Sequence, residues 1–330
     1  MNDKFVISDL RHPDEQEMLL GTPQSFMSDA FSRFKKNKGA LVGLWIIGII
    51  IVLAIVGPMI SGTTFDHVEK AHLNLPPRIP FLEKLGIFNG SLGGYNIYQE
   101  KGLSDVFYWF GTDKLGRDLW TRVWKGTQIS FLIAFVAVGI DVFVGITYGL
   151  ISGYFGGKVD AVMQRFVEIL SGIPNLVVVT LFMIIFEPGI LTIILALMLT
   201  GWIGMSRVVR SQVLKLKDQE FVLAARTLGG SHADIIKKEL LPNIMGQIIV
   251  MTMFSIPNAI FYESFLAFVG LGLRPPFASL GVLISTGYLS MLTHPFIIAS
   301  PVIVLSLLML SFNLIADGLR DAFDPKMKGF

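Results

Sequence analysis

The sequence predicts an all-α, polytopic membrane protein with six transmembrane helices. Three observations carry this. Just over half of the 330 residues are apolar (52%) and 16% are charged, against about 25% charged residues in a soluble chain. The mean hydropathy is +0.63. The apolar residues also fall into long runs, and the runs at 40–60, 129–151, 173–187, 190–206, 243–268 and 295–316 meet or approach the roughly 20 residues a helix needs to cross a bilayer. They are too continuous for the alternating strands of a barrel.

The first run, from Ala40 to Ile60, carries no charge and is too long for a signal-peptide core. It is expected to be a retained span over 39–60, preceded by a polar segment 1–38 that lies on the membrane or is partly disordered. The segment 61–128 follows as an outer loop. Its first part is rich in turn residues, as in Pro76-Pro77, Asn89-Gly90 and Gly93-Gly94. Its last part, Asp113–Ser130, reads as an amphipathic helix leading into the second span. Residues 129–319 form a five-helix core, in which the third and fourth spans are short, share a turn at Glu187-Pro188-Gly189 and read as a hairpin. The third span extends backwards, on this reading, through Val159–Leu170. A tail, 320–330, ends the chain, and no internal repeat is visible.

Lys and Arg in short loops set orientation. Arg33, Lys35, Lys36 and Lys38 precede the first span, Lys158 and Arg165 lie between the second and third, and Arg320, Lys326 and Lys328 follow the sixth. Arg207, Arg210, Lys215, Lys217, Arg226, Lys237 and Lys238 lie between the fourth and fifth. The opposite side has only Arg274 in its 271–294 loop, besides eight basic residues in the long loop 61–128, which its length exempts from the rule. Both termini are expected in the cytoplasm.

The segment at about 207–242 is the most informative. Glu220, Leu223, Ala224, Ala225, Arg226 and Leu228 form helical turns in which Phe221, Leu228 and the alanine pair make an apolar stripe at spacing three to four. Gly229-Gly230 stops the helix, Ser231 caps the next one, and Pro242 marks the place where the chain is expected to turn back into the bilayer. A plain inter-span connection and a docking helix fit these residues about equally.

The spacing Ala-Ala-x₃-Gly, ending in Leu241-Pro242, resembles the cytoplasmic loop of membrane subunits in bacterial ATP-binding-cassette importers, with Leu223 where that family usually has Glu. Phe110-Gly111-Thr112-Asp113-x₂-Gly116-Arg117-Asp118-x₃-Arg122 is similar to the extracytoplasmic motif of the peptide/nickel branch. Gly153-Tyr154-Phe155-Gly156-Gly157 and the stretch Glu263–Gly272 with Pro275-Pro276 and Leu280-Gly281 add to it. The outer loop around Asn96–Glu100 resembles that of oligopeptide importers, in their C-type permease subunits. The resemblance spans roughly residues 110–325. It implies half of an import pathway for peptides in the bacterial cytoplasmic membrane. It also implies a second homologous permease, two ATPase subunits that bind ATP and Mg, and an extracytoplasmic substrate-binding protein. In such a complex the helix carrying Glu220, Leu223, Ala224, Ala225, Arg226 and Gly229 would be the ATPase-coupling element.

The remaining candidates are weighed on residue chemistry. Asp113, Gly116, Arg117, Asp118 and Arg122 read chiefly as a structural charge pattern on the outer side. Asp141, near the middle of the second span, is expensive in lipid and is expected to face protein or water, lining the path or an interface. Glu263, near the outer end of the fifth span, fits a structural role better than a gate. Five scattered histidines show no metal-ligand spacing, and no phosphate-binding loop occurs, so neither a protease nor an ATPase is indicated. The basic loops lack aromatic interleaving and suit lipid headgroups and a protein surface rather than nucleic acid. The alternatives are a nickel or other small-solute importer of the same family, and a proton-driven secondary transporter with Asp141 as its acid.

Overall fold

A computed structural model describes residues 26–323; the expectations for residues 1–25 and 324–330 lie outside these. Two helices, α1 (Phe26–Lys36) and α2 (Lys38–Ile60), meet at Asn37, whose side chain caps α2 by accepting from the Ala40 amide at 3.0 Å. The long loop that follows carries a two-residue hairpin, β1 (Ser91–Leu92) against β2 (Tyr95–Asn96), and a single turn α3 (Ile97–Glu100). Then come α4 (Leu119–Phe155), α5 (Gly157–Ser171), α6 (Asn175–Ile185), α7 (Ile190–Met198), α8 (Trp202–Leu216) and α9 (Glu220–Thr227). The short α10 (His232–Asp234) runs through a π-helical turn, Ile235–Leu240, into α11 (Leu241–Leu266). The last two helices are α12 (Leu280–Tyr288) and α13 (Phe296–Phe323).

Five helical rods are long and apolar enough to cross a membrane: Lys38–Ile60, Leu119–Phe155, Ile190–Leu216, His232–Leu271 and Phe296–Phe323. The pair α5 and α6 makes a sixth crossing bent by 75°. Contacts define two ends. At one, Asn37 donates to Asp321, Tyr154 bonds His232, and Asp160 pairs with Arg210; this is called the basic end. At the other, Ser61 bonds Asp118 and Ser130 bonds Glu263; this is the loop end.

Three expectations are corrected. The stretch Asp113–Ser130 is not one helix. The Asp113 carboxylate takes the amides of Leu115 and Arg117 at 2.9 and 3.0 Å, holding a turn, and α4 starts at Leu119 with Asp118 as its cap. The helix that leads into the second span thus begins at Leu119, inside the 61–128 segment. The backward extension of the third span exists but is not straight, because Pro174 disfavours helix at the residue before it and the chain breaks between Ser171 and Asn175. Pro242 does not mark a turn. It lies in the first turn of α11, where a missing N–H is tolerated, and the helix runs on through it to Leu266.

Every residue of α2 after Lys38 is compatible with lipid, so its packing face is set by size. Ala40, Gly43, Ile47, Ile50, Ala54 and Gly57 are buried, at alternating steps of three and four. Gly43 brings the backbone against Ser311 of α13, where a Cβ would lie 2.6 Å from the Ser311 carbonyl, and Gly57 lies on the Trp124 ring of α4. Pro58 has no N–H to give the carbonyl of Ala54. The side-chain amide of Gln128 donates to that carbonyl instead, at 2.5 Å, and Trp120 Nε1 donates to the Gly57 carbonyl at 2.8 Å. Gln128→Leu should strand the Ala54 carbonyl and cost about 1–3 kcal/mol. A thermal midpoint for the purified complex equal to wild type would contradict this.

Candidate functional site

At the basic end α8 continues the membrane rod outward, and α9 turns back across its tip. The inner face of α9 is fixed by Val222, which packs with Val213, Ile235, Leu240 and Val209 in one buried cluster. Ala225 is packed against the same cluster. Gly229, at φ +82°, ends the helix in a conformation that side chains resist, and the Gly230 amide closes it on the Ala225 carbonyl at 3.0 Å. Ser231 then accepts from the Asp234 amide at 3.1 Å, capping α10. Beneath, Tyr154 at the end of α4 bonds His232 at 2.8 Å and carries the Arg226 guanidinium over its ring at 5.9 Å.

The outward face of α9 is Phe221, Ala224 and Leu228, one stripe at i, i+3 and i+7, flanked by Glu220, Leu223 and Thr227, all exposed. Leu228 is 87% exposed. The predicted set therefore divides. Glu220, Leu223, Ala224 and Gly229 are presented outward, Arg226 is exposed but reaches over the Tyr154 ring on the inner side, Ala225 is half-buried there, and Pro242 lies a helix away in the first turn of α11.

The arm is held rigidly by residues to which the sequence reading gave no role. Gly145, Gly149 and Gly153, one turn apart on α4, meet Met205, Val209 and Val213 of α8 with Cβ positions 2.7–2.8 Å from those side chains. Spacing of small residues by four lets membrane helices approach closely; this signal was present in the sequence. Asp160, in the first turn of α5, takes Arg210 in a two-pronged pair at 2.6 and 2.5 Å, and Ser152 donates to the same carboxylate. A bidentate pair of this kind fixes orientation as well as distance.

At the loop end the motif residues Asp113, Gly116, Arg117, Asp118 and Arg122 come together, buried rather than solvated. Asp113 Oδ2 lies 2.7 Å from the Arg117 guanidinium and 3.6 Å from that of Arg122. Arg122, 2% exposed, also donates to the Phe65 carbonyl at 2.9 Å. Asp118 accepts from Trp120 N, Thr121 and Ser61. Gly116, at φ +77°, lies so close to the Glu69 carbonyl that any Cβ would overlap it. The cluster ties residues 61–75 to the start of α4.

Glu263 is fully buried. Ser130 of α4 donates to it at 3.1 Å and accepts from the Leu280 amide at 3.2 Å, so the carboxylate braces the start of α12. Asp141 lies apart from all of these, beside Gly201 in the break between α7 and α8.

With this geometry in hand, comparison with known proteins is direct. Residues 145–329 match the family described as binding-protein-dependent transport system inner membrane component, and residues 25–77 match the N-terminal TM domain of oligopeptide transport permease C. The dipeptide transport system permease protein DppC of Lactococcus lactis subsp. cremoris is 44% identical, covering 99% of this chain and 98% of its own. DppC of Bacillus subtilis is 43% identical over 99% and 94%, and the oligopeptide transport system permease protein OppC of the same organism 39% over 92% and 91%. A solved structure of the MetNI methionine ABC transporter, in an inward-facing conformation, superposes with a TM-score of 0.51 at 18% identity, covering 61% of this chain and 96% of that one. The chain belongs to the binding-protein-dependent transport system inner membrane components, the membrane-spanning subunits of ABC importers.

Proposed function

We propose that this chain forms one half of the translocation pathway of an ATP-driven peptide importer, paired with a second permease subunit. Two ATPase subunits bind ATP and Mg and dock at the basic end, and a substrate-binding protein delivers cargo at the loop end. The basic end faces the cytoplasm, in keeping with its Lys and Arg excess. Relatives named for dipeptides and for oligopeptides both align over more than nine-tenths of the chain, which supports peptides as a class rather than one length.

The observation that carries this reading is α9. A short helix is clamped on its inner face to the ends of α4, α8 and α11 while its outer face offers Phe221, Ala224 and Leu228 to a partner. In an importer, ATP binding closes the ATPase pair, and differential affinity of ATP for the closed arrangement drives the permease between states. The inner clamp passes displacement of α9 to three spans at once. Purification in mild detergent with its neighbours should yield a complex with a second permease and ATPases that hydrolyse ATP and accumulate labelled peptide in vesicles. A homo-oligomer without ATPase activity would overturn the proposal.

Gly229→Trp tests the docking face. A Cβ at this position would have open space around it, and the backbone cost is about 1–2 kcal/mol. The complex should assemble but lose peptide uptake while retaining basal ATP hydrolysis. Wild-type uptake would remove α9 from the coupling path.

A further inference from the structure

We infer that a partly open cavity of about 270 Å³, lined by Asp141 and by polar and apolar side chains of α4, α6, α7 and α11, is the subsite that receives the N-terminal ammonium group of the peptide in transit, with Asp141 as its counter-ion. The inference rests on the peptide-import reading above and names what that pathway touches.

The cavity borders a break in one helix and a proline in another. Asn175 opens α6 just after the Pro174 break, and Ser255 and Asn258 flank Pro257 in α11. Thr200 and Gly201 lie at the join of α7 and α8, which continues as one rod, with the Gly201 amide on the Leu197 carbonyl at 3.0 Å. Irregular backbone at membrane depth is tolerated where it lines a cavity rather than lipid. Pro257 can give no hydrogen bond to the Met253 carbonyl one turn back, so part of α11 is locally loosened beside the same space.

Asp141 is the only charge on the cavity wall. Its Oδ1 is buried with no hydrogen-bond partner, and no basic side chain pairs with it among the described residues. It approaches Gly201 so closely that a Cβ there would overlap the carboxylate. Gly201 has ordinary helical angles, φ −61° and ψ −38°, so backbone conformation does not call for glycine; the space for the carboxylate does. An acid at this depth costs about 2.5–3.5 kcal/mol unless it faces water or a partner, and this one is positioned and left open.

The chemistry selects the ligand. One carboxylate with the amides of Asn175 and Asn258 and the hydroxyls of Thr200, Ser255 and Tyr262, beside the apolar Val179, Ala196, Leu197 and Ala259, matches a monovalent cation that donates several hydrogen bonds and carries an organic body. The space is far larger than the roughly 30 Å³ share of one water molecule, so it suits a cation attached to a residue-sized body. A peptide α-ammonium is that group.

The test uses the complete importer in proteoliposomes with its binding protein, ATPases and partner permease. The probes are photoleucyl-alanyl-alanine and its isomer with photoleucine last. Under turnover the first should crosslink near Asp141, Gly201 or residues 255–262, and the second elsewhere. Asp141→Asn should cut uptake about tenfold or more, the scale of a lost charge-assisted hydrogen bond, with binding-protein-stimulated ATP hydrolysis retained. Asp141→Glu should restore part of it. Gly201→Ala, which keeps the charge but fills its space, should lower uptake in the same direction. Crosslinks of the first probe outside the cavity, or unchanged uptake by Asp141→Asn, would overturn the subsite. Joint loss of uptake and ATPase activity would make Asp141 a packing residue and overturn it too. Absence of peptide uptake by the wild type is a separate result: it removes the peptide reading, and the subsite with it.

Discussion

Gly149→Leu is expected to leave no functional permease. The glycine sits midway along the seam between α4 and α8, where even a Cβ would lie 2.6 Å from the Ser206 carbonyl and 2.7 Å from Val209 Cβ. The first of these is main chain and cannot turn aside. A leucine would have to part the two helices, and because Gly145 and Gly153 close the same seam one turn away on either side, the separation cannot be local. Overpacking in a close-packed core costs about 1–3 kcal/mol when side chains can adjust, and here backbone must move, so the upper end or more is expected. The seam also carries α9 at its tip. Gly149→Ala should therefore already reduce transport per assembled complex, while Gly149→Leu should abolish assembly. Size-exclusion chromatography of the solubilised complex separates the two. A monodisperse, active Gly149→Leu complex would mean that the helices are not held as tightly as the seam implies.

The second large effect is expected from Asp113→Ala. Asp113 neutralises two guanidinium groups that are both almost wholly buried, Arg117 and Arg122, and accepts two backbone amides. Taking one partner from a buried pair typically costs about 3–5 kcal/mol, because the remaining charge has no water to return to. Asp113→Asn keeps an acceptor for the amides and should fall between the two. The loop 61–75 should become sensitive to protease in Asp113→Ala while the membrane helices persist. Limited proteolysis of the complex reads this directly, and wild-type resistance would contradict it.

The contrast between these two sites and α9 explains what could be read from the chain. The end of α9 and the start of α10 follow from local rules: helix formers up to Leu228, Gly229 to stop, Ser231 to cap the next helix. Local rules are visible in sequence. The charge knot was legible only as a pattern of signs. Asp113, Lys114, Arg117, Asp118 and Arg122 look like a wet helix surface until residues 61–75 are folded over them. That covering comes from a segment some 40–60 positions away, with no spacing rule to announce it. The Pro174 break was misjudged because the amphipathic Val159–Leu170 stretch and the apolar run after it both read as helix, and helical pattern on either side does not show a bend. The seams were hidden for a different reason. In lipid both faces of a helix are apolar, so contact is marked by small size and not by hydrophobicity. Gly145, Gly149 and Gly153 could have been found on that basis.

The attachment of α2 has a consequence for how this subunit tolerates change. Gln128 and Trp120 grip the first helix by carbonyls that belong to no particular side chain. Its identity to the rest of the molecule is thus a Pro-made gap in a backbone and a stripe of narrow positions; the outward residues carry no message inward. They are free to follow the thickness and fluidity of whatever bilayer the cell makes. A foreign apolar helix grafted over 41–60 should seat correctly if it keeps the residues at 43, 47, 50, 54, 57 and 58. The first span is a replaceable hull plank on a fixed frame.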